Sequence, residues 1–98
     1  MLSKCYVVQF TKFSAKQMEK LPAQIREAVY LWKESVEYLG LPEVRQSKGY
    51  HDEPLSGRRS GQRSVRLNRA YRLIYEEHGR GETIVVGVQE VNKHEYRP

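Results

Sequence analysis

The sequence holds a single cysteine, Cys5, among its 98 residues. That excludes an internal disulfide framework, so the fold must rest on its apolar core. Cys5 lies in an apolar stretch with no histidine or basic cluster nearby in sequence, which marks it as a small core or edge residue rather than a reactive thiol. Long apolar runs are missing as well, and none approaches the ~20 residues that span a bilayer. The opening MLSKCYVVQF carries one lysine and an apolar stretch alternating with polar residues, without the long apolar region or small-residue cleavage site of a secretory signal. It reads as a first strand, and a reducing cytoplasm is the expected location. Internal repeats, low-complexity tracts and linkers are also absent, so residues 1–98 are expected to form one domain, a length too short for two. The glycines do not make a phosphate loop either, because GRRSG lacks the lysine and following helix of such motifs.

What is present is aromatic and basic. Aromatics make up 10% and hydrophobics 39% of the chain, enough apolar surface to fold. The net charge is +5, which favours an acidic partner, and its placement says more than its sum. Between Pro54 and Tyr75 stand Arg58, Arg59, Arg63, Arg66, Arg69 and Arg72 with no acidic residue among them. A solvated charged face is one explanation; the lack of interspersed acids favours a surface that meets nucleic acid or an acidic protein.

Periodicity supplies the elements. After the first strand, TKFSAKQMEKLP offers Thr11 as a helix N-cap and a short amphipathic run before Pro22. In PAQIREAVYLWKESVEYLG, Ile25, Val29, Trp32, Val36 and Leu39 recur at helical spacing, with Pro22 suited to the first turn and Gly40 to the C-cap. That stripe belongs to the core. Leu41 to Gly61 is expected to be a loop with a short helical turn at Pro42 to Gln46. Three strands follow, RSVRLN, AYRLIYEE and ETIVVGVQEV, divided by turns at Asn68 and HGRGE. The order βααβββ predicts an α+β domain, with two N-terminal helices packed on one face of a mainly antiparallel sheet.

Strand alternation then sorts the side chains. Val65 and Leu67 oppose Ser64 and Arg66, while Tyr71, Leu73 and Tyr75 oppose Arg72, Ile74 and Glu76. If the helices bury the apolar sets, Arg66 and Arg72 share the open face. Two guanidiniums on rigid neighbouring strands suit bidentate phosphate binding, with cross-strand pairing to Glu76 or loop acids as the alternative.

EPLSGRRSGQRSVRL, AYRLIY and a closing KHEY together resemble the RelE/ParE toxin superfamily, and most closely its RelE and YoeB branches. Glu53, Ser60, Gly61, Ser64 and Arg66 stand at the spacings of YoeB-like toxins, and YRLIY is similar to the strand that carries a catalytic arginine. The ending matches a YoeB-like His-Tyr terminus except that Glu95 stands between His94 and Tyr96, and Ser64 and Arg66 replace the lysine pair of RelE. The resemblance implies a RelE-like microbial ribonuclease fold. It also implies the toxin of a type II toxin–antitoxin pair, an mRNA interferase that cleaves translated messenger RNA on the ribosome, inhibits translation and is held by an antitoxin with an acidic segment.

Metal-free RNA cleavage needs a base for the 2′-hydroxyl proton, cations for the phosphorane and an acid for the leaving 5′-oxygen. Glu53, Arg72 with Arg66, and His94 can fill those roles in order, while Tyr96 orients the phosphate, stacks on a base or substitutes as the acid. Arg58, Arg59, Arg63, Arg66, Arg69 and Lys93 are the expected RNA-binding residues. His51, Asp52 and Glu53 are adjacent, and adjacent ligands do not converge on one metal unaided, so no metal site or cofactor is expected; His51 is placed at the flank of the substrate groove. Two rival functions use other chemistry: a ParE-like toxin that binds and poisons DNA gyrase, and a basic RNA-binding module without catalysis. The combination of Glu53, Arg72, His94 and Tyr96 argues against both.

Overall fold

The computed structural model describes residues 4–93. Strand β1 (Cys5–Phe10) leads into helix α1 (Lys12–Lys20), α2 (Ala23–Leu39) and the short α3 (Leu41–Arg45). A 3₁₀ turn at Lys48–Tyr50, strand β2 (Glu53–Pro54) and a second 3₁₀ turn at Gly57–Arg59 precede β3 (Gln62–Arg66), β4 (Tyr71–Arg80) and β5 (Thr83–Lys93). The five strands form one sheet in the order β1-β5-β4-β3-β2. β1 runs parallel to β5, and every other pairing is antiparallel. The expected α+β class and mainly antiparallel sheet therefore hold.

Local chemistry sets the helix ends. Thr11 caps α1 as expected, its hydroxyl accepting from the Ser14 amide at 3.0 Å. α2 begins one residue later than its proline implied, with Pro22 as the N-cap residue, and ends at Gly40, whose φ of 90° suits a residue without a Cβ. A methyl added there would also meet the Tyr6 ring at 3.2 Å.

The segment 41–61 holds more structure than a loop. The helical turn expected at Pro42 to Gln46 is α3, and Glu53–Pro54 adds a fifth strand against Ser64 and Arg63. Two residues are too few to show a period, and Pro54 is tolerated because β2 is the sheet edge, where a missing N–H breaks no ladder. β4 and β5 also run to a two-residue turn, Gly81-Glu82, so the HGRGE segment is largely strand.

The core lies between the helices and one sheet face. Ile25, Val29, Trp32 and Val36 of α2 pack with Val65, Leu73, Tyr75, Val86, Val88 and Val91, and the Trp32 and Tyr75 rings sit 5.4 Å apart. α1 is pinned to β5 by Ser14, whose hydroxyl donates to the Val88 carbonyl at 2.8 Å, and by Gln17, which accepts from the Val91 amide at 2.8 Å beside the bulge in the β4–β5 ladder. Cys5 is exposed on the edge strand β1. The opposite sheet face is left for Arg66, Arg72 and their neighbours, except that Ile74 and its register partner Ser64 are buried.

Candidate functional site

Arg66 and Arg72 are direct register partners across β3 and β4. Both fall on the strand phase opposite the buried Val65 and Leu73, as alternation requires. The β3–β4 turn is fixed by Asn68, whose side-chain oxygen accepts from the Ala70 and Tyr71 amides, both at 2.8 Å. That turn carries Arg69 to the same place. On the other side, β2 pairs Glu53 with Ser64. His51, Glu53, Ser64, Arg66, Asn68, Arg69, Tyr71 and Arg72 thus line one open hollow of about 130 Å³.

The hollow's charge is unbalanced. Three guanidiniums face one carboxylate, and among the described residues Arg66, Arg69 and Arg72 make no ion pair. The Arg72 Nε is buried and has no hydrogen-bond partner among the described residues. A buried donor without an acceptor is costly. The cross-strand pairing of Arg66 and Arg72 with Glu76 that sequence left open is not formed: Glu76 lies 3.3 Å from His78 instead.

The remaining arginines divide. Arg63 donates its Nε to Asp52 at 2.5 Å and is not among the lining residues. Arg59 is paired with Glu90 and donates to Gln62 at 3.0 Å. Arg58 is exposed on the 3₁₀ turn. Lys93 is exposed at the end of β5 opposite Tyr71. His94 and Tyr96 lie outside the described residues.

Sequence weighs Asp52 only as a metal ligand, and the structure gives it a different role. Its side chain is 1% exposed and accepts from Arg63 and, at 2.6 Å, from the Tyr75 hydroxyl, with the Arg45 Nε 3.8 Å away. Arg45 extends the cluster to Glu77 at 2.6 Å. Burial and then donation to Asp52 push the Tyr75 hydroxyl well above the ordinary tyrosine range, so it stays a donor. Burial opposes the Arg45 charge, but its hydrogen bonds to Glu77 and Tyr75 outweigh that and hold it charged. Sequence carries no signal for this role of Asp52: the two residues of β2 show no period, Asp52 lies just outside them, and only the packing reveals the donors that a buried carboxylate requires.

No protein-family model and no curated protein sequence matches the chain. Solved structures do. The YoeB/ParE toxin from Agrobacterium tumefaciens superposes with a TM-score of 0.66 at 19% identity, covering 91% of this chain and 99% of that one. The archaeal RelE–RelB complex from Pyrococcus horikoshii gives 0.68 at 22% identity, covering 90% and 93%. The E. coli DinJ–YafQ toxin–antitoxin complex gives 0.67 at 19% identity, covering 89% and 90%. This chain has the RelE-like toxin fold. At these identities the likeness establishes the architecture, and chemistry must be argued from the hollow.

Proposed function

We propose that the protein is the toxin of a type II toxin–antitoxin pair and an endoribonuclease that cuts messenger RNA during translation. One observation carries the reading: Arg66 and Arg72, side by side on rigid strands and without ion-pair partners among the described residues, face Glu53 across a solvent-open hollow. Fixed cations aimed at one point stabilise charge that develops on a phosphorane without reorganising at the moment of reaction. In this reading the Glu53 carboxylate, which lines the hollow, receives the 2′-hydroxyl proton. The acid falls to His94 or Tyr96, which follow Lys93 in the chain; Lys93 lies in register with Tyr71, a lining residue. Arg69 and Arg58 add charge for the RNA backbone. The proposed partners are the ribosome with its mRNA and an antitoxin whose acidic segment covers the +5 surface. Two of the similar folds occur in complexes named RelE–RelB and DinJ–YafQ, which supports a protein partner.

The test is expression in cells with transcript ends mapped genome-wide. Cuts confined to translated frames, and lost from a reporter whose start codon is removed, are the expected result. Cuts regardless of translation contradict the ribosome requirement. Growth arrest with intact transcripts and broken chromosomal DNA points to gyrase poisoning instead.

A further inference from the structure

The reading above gives Glu53 the 2′-hydroxyl proton alone, yet a second titratable group stands beside it. The His51 Nε2 lies 3.5 Å from the Glu53 Oε2, and both side chains line the hollow with Arg66 and Arg72. Asp52 between them points away from the pair, anchored by Arg63 and Tyr75. His51 is also the single non-glycine residue with positive φ among the described residues, at φ 46° and ψ 48°. Backbone held in that region clusters at functional sites, where surrounding structure fixes it. Stability does not account for the pair, since its side chains are 58% and 57% exposed and exposed pairs contribute little.

We propose, resting on the ribonuclease reading, that His51 and Glu53 act as one proton-accepting dyad and that His51 is a catalytic residue. In an in-line displacement the attacking and leaving oxygens lie on opposite sides of phosphorus. Two groups in contact with each other therefore serve one side and one proton, not both. The imidazole of His51 takes the proton from the 2′-hydroxyl as that oxygen bonds to phosphorus, and the Glu53 carboxylate orients the ring and balances the imidazolium. The bond from phosphorus to the 5′-oxygen breaks, and that oxygen takes a proton from the acid on the far side. The products are a 2′,3′-cyclic phosphate and a 5′-hydroxyl. No oxidant, metal or cofactor enters the balance.

The test is single-turnover cleavage of mRNA on programmed ribosomes, comparing wild type with His51→Gly and His51→Asn, both of which tolerate positive φ, and with Glu53→Gln. His51→Gly is expected to slow cleavage roughly 10²- to 10⁴-fold, and added imidazole to restore part of the rate, because the vacated position admits the free base. His51→Asn is expected to be slow and unrescued. Combining His51→Gly with Glu53→Gln should cost little more than either change alone, as for groups acting as a unit. A wild-type rate in either His51 variant overturns the dyad while leaving the nuclease reading intact, and so does a slow His51→Gly that imidazole fails to restore. A wild-type protein that cuts nothing on translating ribosomes removes the nuclease reading, and the dyad with it.

Discussion

At the scale of single residues, Asp52 separates structure from chemistry. It lies between two side chains in the hollow, yet its own carboxylate faces inward to Arg63 and Tyr75. Removing one partner of a buried pair leaves the other uncompensated, although Arg63, with a quarter of its side chain exposed, can recover some water. Asp52→Ala is therefore expected to lower unfolding free energy by about 3 kcal/mol, measured by urea titration with an unchanged m-value. Tyr75 adds a pH signature. Because its folded-state pKa is raised, its contribution is fully present below the unfolded value of ~10 and is lost as pH rises towards the folded one. Tyr75→Phe should flatten the fall in stability above pH ~10 while lowering stability at neutral pH by stripping a donor from Asp52. Thermal melts from pH 7 to 11 check both. A Tyr75→Phe profile parallel to wild type would mean that burial and Asp52 do not hold the proton on the hydroxyl.

At the scale of elements, the hollow is an outcome of sheet order. β3 and β4 place Arg66 beside Arg72 because period 2 leaves no other phase once Val65 and Leu73 are buried. That much was legible from alternation alone, as were the two main helices, from their caps and spacing. β2 was not, since two residues carry no period, and neither was the role of Asp52, which depends on β2 existing. Where Arg63 and Arg59 go was illegible for the same reason: charge clustering counts arginines, and only the packing shows that Asp52 and Glu90 neutralise two of them. The opposite sheet edge has its own device. Glu37 of α2 accepts from the Val8 amide on β1 at 2.9 Å and from Lys33 at 3.0 Å. Burial tends to raise the Glu37 pKa, but the Val8 and Lys33 hydrogen bonds and the Lys33 charge outweigh it and bring it below the ordinary glutamate value. The stability it contributes is present above that value and lost as pH falls through the folded pKa. Glu37→Gln should reduce the loss of stability between pH ~5 and ~3. An acid limb identical to wild type would show that the carboxylate does not cap the edge.

At the scale of the whole molecule, a RelE-like framework presents a cationic hollow on the sheet face away from α1 and α2. The arginines on its surface should behave unequally. Arg58→Ala, on an exposed turn, is expected to weaken ribosome binding and reduce its salt dependence while sparing the chemical step. Arg72→Ala is expected to lower that step by roughly 10²- to 10³-fold with binding nearly intact. Equal effects of the two on both quantities would dissolve the distinction between a binding surface and a reaction centre. The central claim, that this hollow cuts RNA by proton transfer around fixed arginines, meets its most direct test in a single measurement. Purified protein is mixed with programmed ribosomes in chelator, and the ends of the cleaved message are analysed chemically. The account predicts cleavage in the wild type that survives chelation, carries 2′,3′-cyclic phosphate and 5′-hydroxyl ends, and falls at least a hundredfold in Arg72→Ala. Intact message, ends bearing a 5′-phosphate, or an Arg72→Ala variant as fast as wild type would contradict it.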